Sequence, residues 1–162
     1  MESISRAKAF KYLRLAKYQA DLFSKDPSTK VGSLFVAPGS LQILTSSFNG
    51  FPRGVDESDM LRWQRPQKYN YVEHAERNGI YNASRRGTPL EDSICVVTMF
   101  PCSQCARALI QVGVKYIVSV EPNLGDPRWG DEHKYSLEMF KEVGIELILF
   151  NIMQEDDVKK NE

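Results

Sequence analysis

The sequence predicts an α/β fold, a three-layer α/β/α sandwich with a five-stranded mixed sheet whose last strands are parallel. Two observations predict this architecture. First, the apolar and β-branched runs 31–37 and 41–47 are joined by Pro-Gly-Ser, which is typical of a β-hairpin. Second, strand-like runs alternate with helix-like segments after the hairpin, and strands that are connected through helices lie parallel in one sheet.

Each element follows from a local pattern. Apolar residues at roughly helical spacing predict a first helix over 4–23, and Pro27 breaks the segment that follows it. Gly87 and Gly113 are typical helix-ending residues, and they predict the ends of two further helices, at residues 86 and 112. After the hairpin we predict a helix over 72–86, a strand over 93–100, a helix over 102–112, a strand over 115–120, a helix over 132–143 and a strand over 145–150.

Two connections are too rich in aromatic residues and charges to be simple linkers. The first, 48–71, contains two prolines, two glycines and five aromatic residues, and the second is 121–130. Loops of such length are often functional. The whole pattern predicts one domain over 1–150, followed by a polar tail over 151–162.

Composition and charge restrict the function. The chain has 162 residues, and 21 Lys and Arg residues balance 21 Asp and Glu residues. This neutrality argues against a polynucleotide partner, because phosphate contacts usually require a basic protein. No apolar run is long enough to span a membrane. Three cysteines and a charged N-terminal segment without an export signal predict a protein of the reducing cytoplasm.

A closely spaced cysteine pair raises the question of chemistry. Cys102 and Cys105 lie three positions apart at the predicted start of a helix, so their sulfur atoms share one face. The positive end of the helix dipole favours the thiolate form, which binds metals. By itself the pair is compatible with a thioredoxin-like redox couple, half of a metal site or two buried helix residues.

A histidine and a glutamate upstream favour the metal site. His74 and Glu76 flank Ala75 at the start of another predicted helix, 28 residues before the cysteine pair. His-x-Glu followed by Pro-Cys-x-x-Cys is the pattern of zinc-dependent nucleobase deaminases. One nitrogen and two sulfurs provide three corners of a tetrahedral zinc site and leave the fourth for water or hydroxide. We therefore predict His74, Cys102 and Cys105 as ligands and Glu76 as the catalytic acid and base.

Two further residues could in principle bind metal. Cys95 lies within the apolar run Ile-Cys-Val-Val and is predicted to be a buried free thiol. His133 lies near the start of the last helix and is predicted to be solvated. Neither matches a ligand spacing.

The motifs as a whole resemble a known family. "HAERN" with "PCSQCARALIQVGVK" resembles the cytidine and deoxycytidylate deaminase superfamily, and within it the deoxycytidylate (dCMP) deaminase branch. "SKDPSTKVG", "FNGFPRG" and "KYNYVEHAERN" agree with this branch, as does the helix before "VGIELILF". The resemblance covers residues 5 to 150, nearly the whole chain.

This resemblance implies a function. It implies a zinc-dependent hydrolase with one zinc per subunit that converts a cytosine nucleotide, dCMP above all, to dUMP and ammonia. Deamination of a modified pyrimidine nucleotide, or of a base in tRNA or another polynucleotide, is the alternative. A zinc-binding module without catalysis would leave Glu76 with no purpose.

The resemblance also implies residues that bind the substrate. Asn49 occupies the turn whose asparagine contacts the nucleotide in the family, and Lys30 and Arg53 match positions near the pocket. Tyr71, which immediately precedes the predicted helix, is a candidate wall for the base. Three further cations of the first long loop, Arg62, Arg65 and Lys68, could compete for the phosphate, although charges in a loop are usually solvated.

Family members are oligomers, commonly hexamers, so the resemblance implies a homo-oligomer. It leaves open regulation by dCTP and dTTP.

Three departures from the family pattern are visible. Gly79 stands inside a predicted helix where relatives carry alanine, at a cost of about 1 kcal/mol in helix stability. Ser47 replaces the first glycine of the family's G-x-N-G turn. The Cys and His residues of a second, structural zinc site found in some phage relatives are missing.

Overall fold

The computed structural model describes residues 4–151, so all but the first residue of the predicted tail lies outside the described residues. The helices are α1 (Arg6–Phe23), α2 (Lys68–Tyr71), α3 (Ala75–Arg86), α4 (Ser103–Gln111) and α5 (Gly130–Glu142), with a short 3-10 helix at Met60–Trp63. The strands are β1 (Gly32–Val36), β2 (Ile43–Phe48), β3 (Ile94–Val97), β4 (Tyr116–Val120) and β5 (Glu146–Phe150).

The five strands form one mixed sheet in the order β2-β1-β3-β4-β5. Strand β1 is antiparallel to both β2 and β3, whereas β3, β4 and β5 are parallel to one another. Helices α4 and α5 provide the two crossover connections that parallel neighbours require. The predicted sheet and the direction of its last strands are confirmed.

Side chains of the sheet alternate between two cores, which produces the three layers. Leu34 and Val36 of β1 pack in a cluster with apolar residues of α1, on one face of the sheet. Phe35 points to the other face and joins a cluster that includes Ala83 of α3, Leu109 of α4 and Phe140 of α5. Helix α1 therefore covers one face, and α3, α4 and α5 cover the other. Within residues 4–151, the helices are too short or too polar to traverse a lipid bilayer.

The segment before α3 differs from the single helix that we predicted over 72–86. A short helix, α2, ends at Tyr71, and Glu73 then forms an isolated antiparallel bridge with Gly50. His74 has extended backbone angles, φ −74° and ψ 152°, and is the N-cap of α3. The interruption makes His74 the N-cap residue of the helix rather than a residue of its first turn.

Two of the departures from the family pattern explain each other. A Cβ atom on Gly79 would lie 2.5 Å from Cε2 of Phe35 and 2.8 Å from Oγ of Ser47. The Ser47 hydroxyl donates a 2.7 Å hydrogen bond to the carbonyl of Ala75, one helical turn earlier. The Phe35 ring and the Ser47 hydroxyl together fill the space that a Cβ atom at position 79 would need, and a glycine at position 47 would leave part of that space free.

We expect Gly79→Ala to destabilise the fold, although alanine is the better helix former. The added methyl group overpacks a buried site, at a cost of roughly 1–3 kcal/mol, which exceeds the gain of about 1 kcal/mol in helix propensity. Urea denaturation measures the change, with Ser84→Ala on the exposed side of the same helix as the control. Adding Ser47→Gly should recover part of the loss, whereas a Gly79→Ala protein as stable as wild type would contradict this packing argument.

Candidate metal and active site

Three predicted ligands come together at one point. The Sγ atoms of Cys102 and Cys105 each lie 3.5 Å from Nδ1 of His74. The potential ligand atoms of the three residues all lie within 4.8 Å of one another, and both cysteines are buried. This convergence joins His74 to two cysteines that are 28 and 31 positions further along the sequence.

The spacing of these atoms fits a tetrahedral zinc ion. Zn–N bonds of about 2.0–2.1 Å and Zn–S bonds of about 2.3 Å place nitrogen and sulfur ligands about 3.5 Å apart at tetrahedral angles. Both observed nitrogen–sulfur distances have this value. Two soft sulfurs and one imidazole are a donor set that zinc prefers, and three protein ligands leave a fourth position for a reacting molecule.

Both ligand-bearing helices begin at this site. His74 is the N-cap residue of α3 and Cys102 is the N-cap residue of α4, and neither side chain caps its own helix. Cys105 follows one turn later on the same face of α4. Because Pro101 precedes this helix and lacks an N–H group, it tolerates the entrance position. The two helix starts therefore direct three side chains toward one centre.

The sulfur atoms are prepared for metal binding by their surroundings. A hydrogen bond from Cys105 lowers the pKa of Cys102 to about 4, and a hydrogen bond and the charge of His74 act in the same direction. The same interaction with Cys102, together with burial, raises the pKa of Cys105. A dication would bind the thiolate forms of both cysteines and release their remaining protons.

Glu76 lies beside the ligands in the first turn of α3 and is 4% exposed. Burial raises its pKa to about 7, against the opposing charge of His74. In the part of the chain that the structure describes, no Lys or Arg forms an ion pair with it. A dication nearby would favour the ionised carboxylate, which is the form that accepts a proton.

A cavity of about 310 Å³ opens beside this cluster. His74, Glu76 and Cys102 form part of its wall, with Phe100 and Trp129 among its apolar lining. Three cations also line it: Arg65, Lys68 and Arg128. The volume and the mixture of apolar walls with a few polar groups are typical of a small-molecule site.

Asn49, the predicted substrate contact, lines the cavity, but its amide is already fully hydrogen-bonded. Nδ2 donates to Oδ2 of Asp26 at 3.0 Å and to the carbonyl of Thr29 at 2.8 Å. Oδ1 accepts from the hydroxyl of Ser24 at 2.8 Å and from the N–H of Val31 at 2.9 Å. Since an amide has two donors and two acceptor sites, a substrate would have to replace one of these bonds.

Asp26 and Lys68 form a buried ion pair in the same wall, with 2.6 Å between Nζ and Oδ2. Burial alone would raise the pKa of Asp26, but hydrogen bonds from Lys68 and from the N–H groups of Ser28 and Thr29 lower it overall. The sequence left Lys68 open as one of three loop cations that could compete for the phosphate, but its ammonium group lies inside this network and is bonded to Asp26. Asp26 was missed, although an aspartate before Pro-Ser-Thr is typical of a side chain that accepts backbone N–H bonds.

The other residues predicted to bind substrate lie elsewhere. Nζ of Lys30 bonds the carbonyl of Asp21, and Arg53 bonds Asn82 and lines a separate surface pocket. Tyr71 stacks on Phe51, with ring centroids 5.5 Å apart, and lies under the guanidinium of Arg62. None of the three predicted residues lines the cavity beside Glu76.

The two additional candidates for metal binding had different outcomes. Cys95 is a buried free thiol, as predicted, and burial raises its pKa. His133 was predicted to be solvated, which is wrong: it is 4% exposed, lines the cavity and packs edge-on against Phe100. Burial lowers its pKa. The difference arises because His133 lies on the buried side of α5, against Phe100, rather than toward solvent.

Comparison with known proteins agrees with this geometry. The family model "Cytidine and deoxycytidylate deaminase zinc-binding region" matches residues 6–121. A probable deoxycytidylate deaminase of Caenorhabditis elegans is 44% identical over 115 residues, which are 68% of this chain and 56% of the relative. Deoxycytidylate deaminase of Mus musculus is 32% identical over 157 residues, 90% of this chain and 84% of the relative. The chain thus spans little more than half the length of the worm relative.

The fold is shared with a solved deaminase. The crystal structure of dCMP deaminase from the cyanophage S-TIM5, in complex with dCMP and dUMP, superposes with a TM-score of 0.70. It is 22% identical and covers 91% of this chain and 99% of its own. The zinc-binding family model and the three converging ligand atoms together support one zinc ion per chain.

Proposed function

Because the chain belongs to the cytidine and deoxycytidylate deaminase family, we propose that it hydrolyses dCMP to dUMP and ammonia. The observation that carries this proposal is the buried carboxyl of Glu76 beside three converging metal ligands at the wall of a cavity. The substrate is chosen because relatives that match most of this chain bear the name deoxycytidylate deaminase.

His74, Cys102 and Cys105 would hold the zinc ion. When bound, zinc lowers the pKa of a water molecule toward neutrality and so supplies a nucleophile. The protein's contribution is to keep these three side chains in place, to exclude bulk water through burial, and to leave one position open.

Glu76 would move the protons. Water adds at C4 of the cytosine ring, the exocyclic amine leaves from the same carbon as ammonia, and the product is the uracil nucleotide. The carboxylate accepts a proton from water and donates it to ring N3. It then takes the second proton from the hydroxyl formed at C4 and delivers it to the amine, which leaves as ammonia while the C4 carbonyl forms. One buried carboxyl can perform both roles because it is not itself a ligand.

An ammonia-release assay tests the proposed substrate. The zinc-loaded protein is given dCMP, CMP, 5-methyl-dCMP, deoxycytidine and a cytosine-containing oligonucleotide. We expect turnover of dCMP to exceed that of deoxycytidine and of the oligonucleotide. Equal turnover of deoxycytidine would remove the protein from the nucleotide-specific class, and preference for the oligonucleotide would refute the proposal.

A nucleotide substrate requires cations for its 5′-phosphate, and the cavity rim provides two. Arg65 and Arg128 both line the cavity with exposed side chains. Neither forms an ion pair within residues 4–151, whereas Lys68 is bonded to Asp26. We propose that Arg65, which the sequence offered as a competing candidate, and Arg128 bind the phosphate in place of Lys30 and Arg53.

We expect Arg65→Ala and Arg128→Ala each to lower kcat/KM for dCMP by roughly 10- to 150-fold, because a hydrogen bond to a charged group contributes about 1.5–3 kcal/mol. Turnover of deoxycytidine should change little, since it has no phosphate. Lys30→Ala and Arg53→Ala are the matched comparison. If these two variants lose dCMP turnover and the rim variants do not, the original prediction from the sequence is correct and the present one is wrong.

Assembly, regulation and location stay predictions. A homo-oligomer is supported by exposed apolar side chains along α1, among them Leu15, Tyr18 and Leu22. A single-chain mass in light scattering would contradict it. Control by dCTP or dTTP can be tested in the same ammonia assay. Three free cysteines are consistent with the expected cytoplasmic location.

A further inference from the structure

The two residues between the cysteines are each attached to a different neighbouring helix. Oε1 of Gln104 accepts a 2.9 Å hydrogen bond from Nη1 of Arg77 on α3. The backbone N–H of Ser103 donates to Oε2 of Glu132 on α5 at 3.1 Å, and its hydroxyl donates to the same oxygen. The turn that carries both sulfurs is therefore held from two sides.

Arg77 extends this connection to the third ligand. Its Nε and Nη2 atoms each lie 3.0 Å from one carboxylate oxygen of Glu73, so the pair is bidentate. Oε1 of Glu73 also accepts the backbone N–H of His74 at 3.2 Å. A continuous series of hydrogen bonds thus runs from His74 through Glu73 and Arg77 to Gln104.

The backbone around Glu73 is itself fixed. Glu73 and Gly50 exchange two backbone hydrogen bonds, of 2.8 and 3.1 Å, which attach the segment before α3 to the end of β2. The guanidinium of Arg77 therefore bridges a segment anchored on the sheet and the first turn of α4.

An ordinary surface ion pair would not have this arrangement. Arg77 and Glu73 are four positions apart, with side chains 28% and 19% exposed, and a partly exposed pair of this kind contributes little to stability by itself. Stabilising the start of α3 requires no contact with α4. A local ion pair would not require the hydrogen bond from Nη1 of Arg77 to Gln104. This bond joins α3 and α4, the two helices at whose starts the metal ligands lie.

We propose that Arg77 and Glu132 are positioning residues that hold the Cys102–Cys105 turn at the distance from His74 that zinc requires. This inference rests on the proposed zinc site. A preorganised ligand set loses less conformational freedom when the ion binds, and residues that orient ligands typically contribute 10- to 100-fold in metal affinity.

Competition with a chromogenic zinc chelator tests the proposal on the full chain. We expect Arg77→Met and Glu132→Ala each to weaken zinc binding by about 10- to 100-fold. Arg86→Met removes one positive charge from the last turn of the same helix and should leave zinc affinity unchanged. The conservative variants Arg77→Lys and Glu132→Gln keep one hydrogen-bonding group each and should recover part of the affinity.

A second pair of measurements separates positioning from general stability. Gln104→Leu removes only the bond between helices, and adding it to Arg77→Met should weaken zinc binding no further. With Co²⁺ in place of zinc, the visible absorption bands of Arg77→Met should differ from those of wild type, because they depend on ligand geometry. The metal-free variants should unfold with nearly the wild-type free energy.

The outcomes distinguish this inference from the proposed site. If wild type does not bind zinc, the site itself is refuted. If wild type binds zinc and Arg77→Met and Glu132→Ala bind it equally well, with unchanged cobalt spectra, only the positioning role is refuted. The positioning role would also be refuted if the loss in free energy of zinc binding were equal to the loss in free energy of unfolding of the metal-free variant.

Discussion

Glu76→Gln should retain the fold and its zinc ion but lose at least 10²- to 10⁴-fold in kcat, because positioned proton transfer contributes that much in a single step. The loss should exceed this range if both proposed transfers depend on the same carboxyl. Glutamine has nearly the same shape and fits the same buried place, so the cavity should be preserved. Steady-state ammonia release, together with zinc content, measures the effect.

The environment of Glu76 explains why we expect a large loss of kcat when its carboxyl is replaced by an amide. The side chain is almost entirely buried, so that bulk water has little access to replace the lost carboxyl. Burial raises its pKa to about 7 and a nearby dication would lower it again, so the ionised carboxylate can accept a proton near neutral pH.

A matched control separates this role from a change in charge. Glu138→Gln alters an exposed carboxyl on α5 and should keep wild-type turnover. If Glu76→Gln retained activity within a factor of a few, Glu76 could not be the group that moves the protons. If it lost zinc instead, the residue would support the metal site rather than the reaction.

The fold and the centre of the site could be predicted from the sequence because their signals are local. Apolar runs and helix-ending glycines predicted the elements, and the boundaries shifted by only a few residues. The ligands of a zinc site follow from residue type and spacing at helix starts. His74, Cys102 and Cys105 were therefore found without knowledge of how the helices pack.

The periphery of the site could not be predicted because it depends on how the long loops fold. Arg53 is close to Asn49 in sequence, yet it reaches Asn82, about 9 Å along α3 from the level of Glu76. Lys68 and His133 resembled surface residues, but α2 and α5 turn them inward. Contacts between residues of a loop and a distant helix leave no periodic pattern in the sequence from which they could be predicted.

The departures from the family pattern at Ser47 and Gly79 also could not be explained from the sequence, because the two residues meet only in the folded protein. Taken singly, the helix glycine looked like an unexplained cost of about 1 kcal/mol, and Ser47 like an unrelated change in the turn. The close approach of the Ser47 hydroxyl to the Cβ position of residue 79 couples them. Pairs of this kind are visible only when the strand and the helix are placed side by side.

Cys102→Ala or Cys105→Ala should abolish zinc binding and activity together, which is the second large effect that we expect. Either change leaves only two of the three ligand atoms that meet around Nδ1 of His74. The measurement is zinc content of the purified protein, paired with thermal unfolding at increasing zinc concentration. Wild type should become more stable as zinc is added, since a ligand of the folded state stabilises it by mass action, and the variants should not respond.

Cys95→Ala is the matched control, because the chain offers a third buried cysteine outside the site. It removes a thiol from the core beside Ser33, 3.7 Å away, and should lower stability modestly while zinc content and turnover persist. The folds of the two ligand variants should survive, since the apolar clusters on both sides of the sheet contain neither cysteine. One zinc per chain in Cys102→Ala, or active wild-type protein without zinc, would contradict the proposed catalytic site.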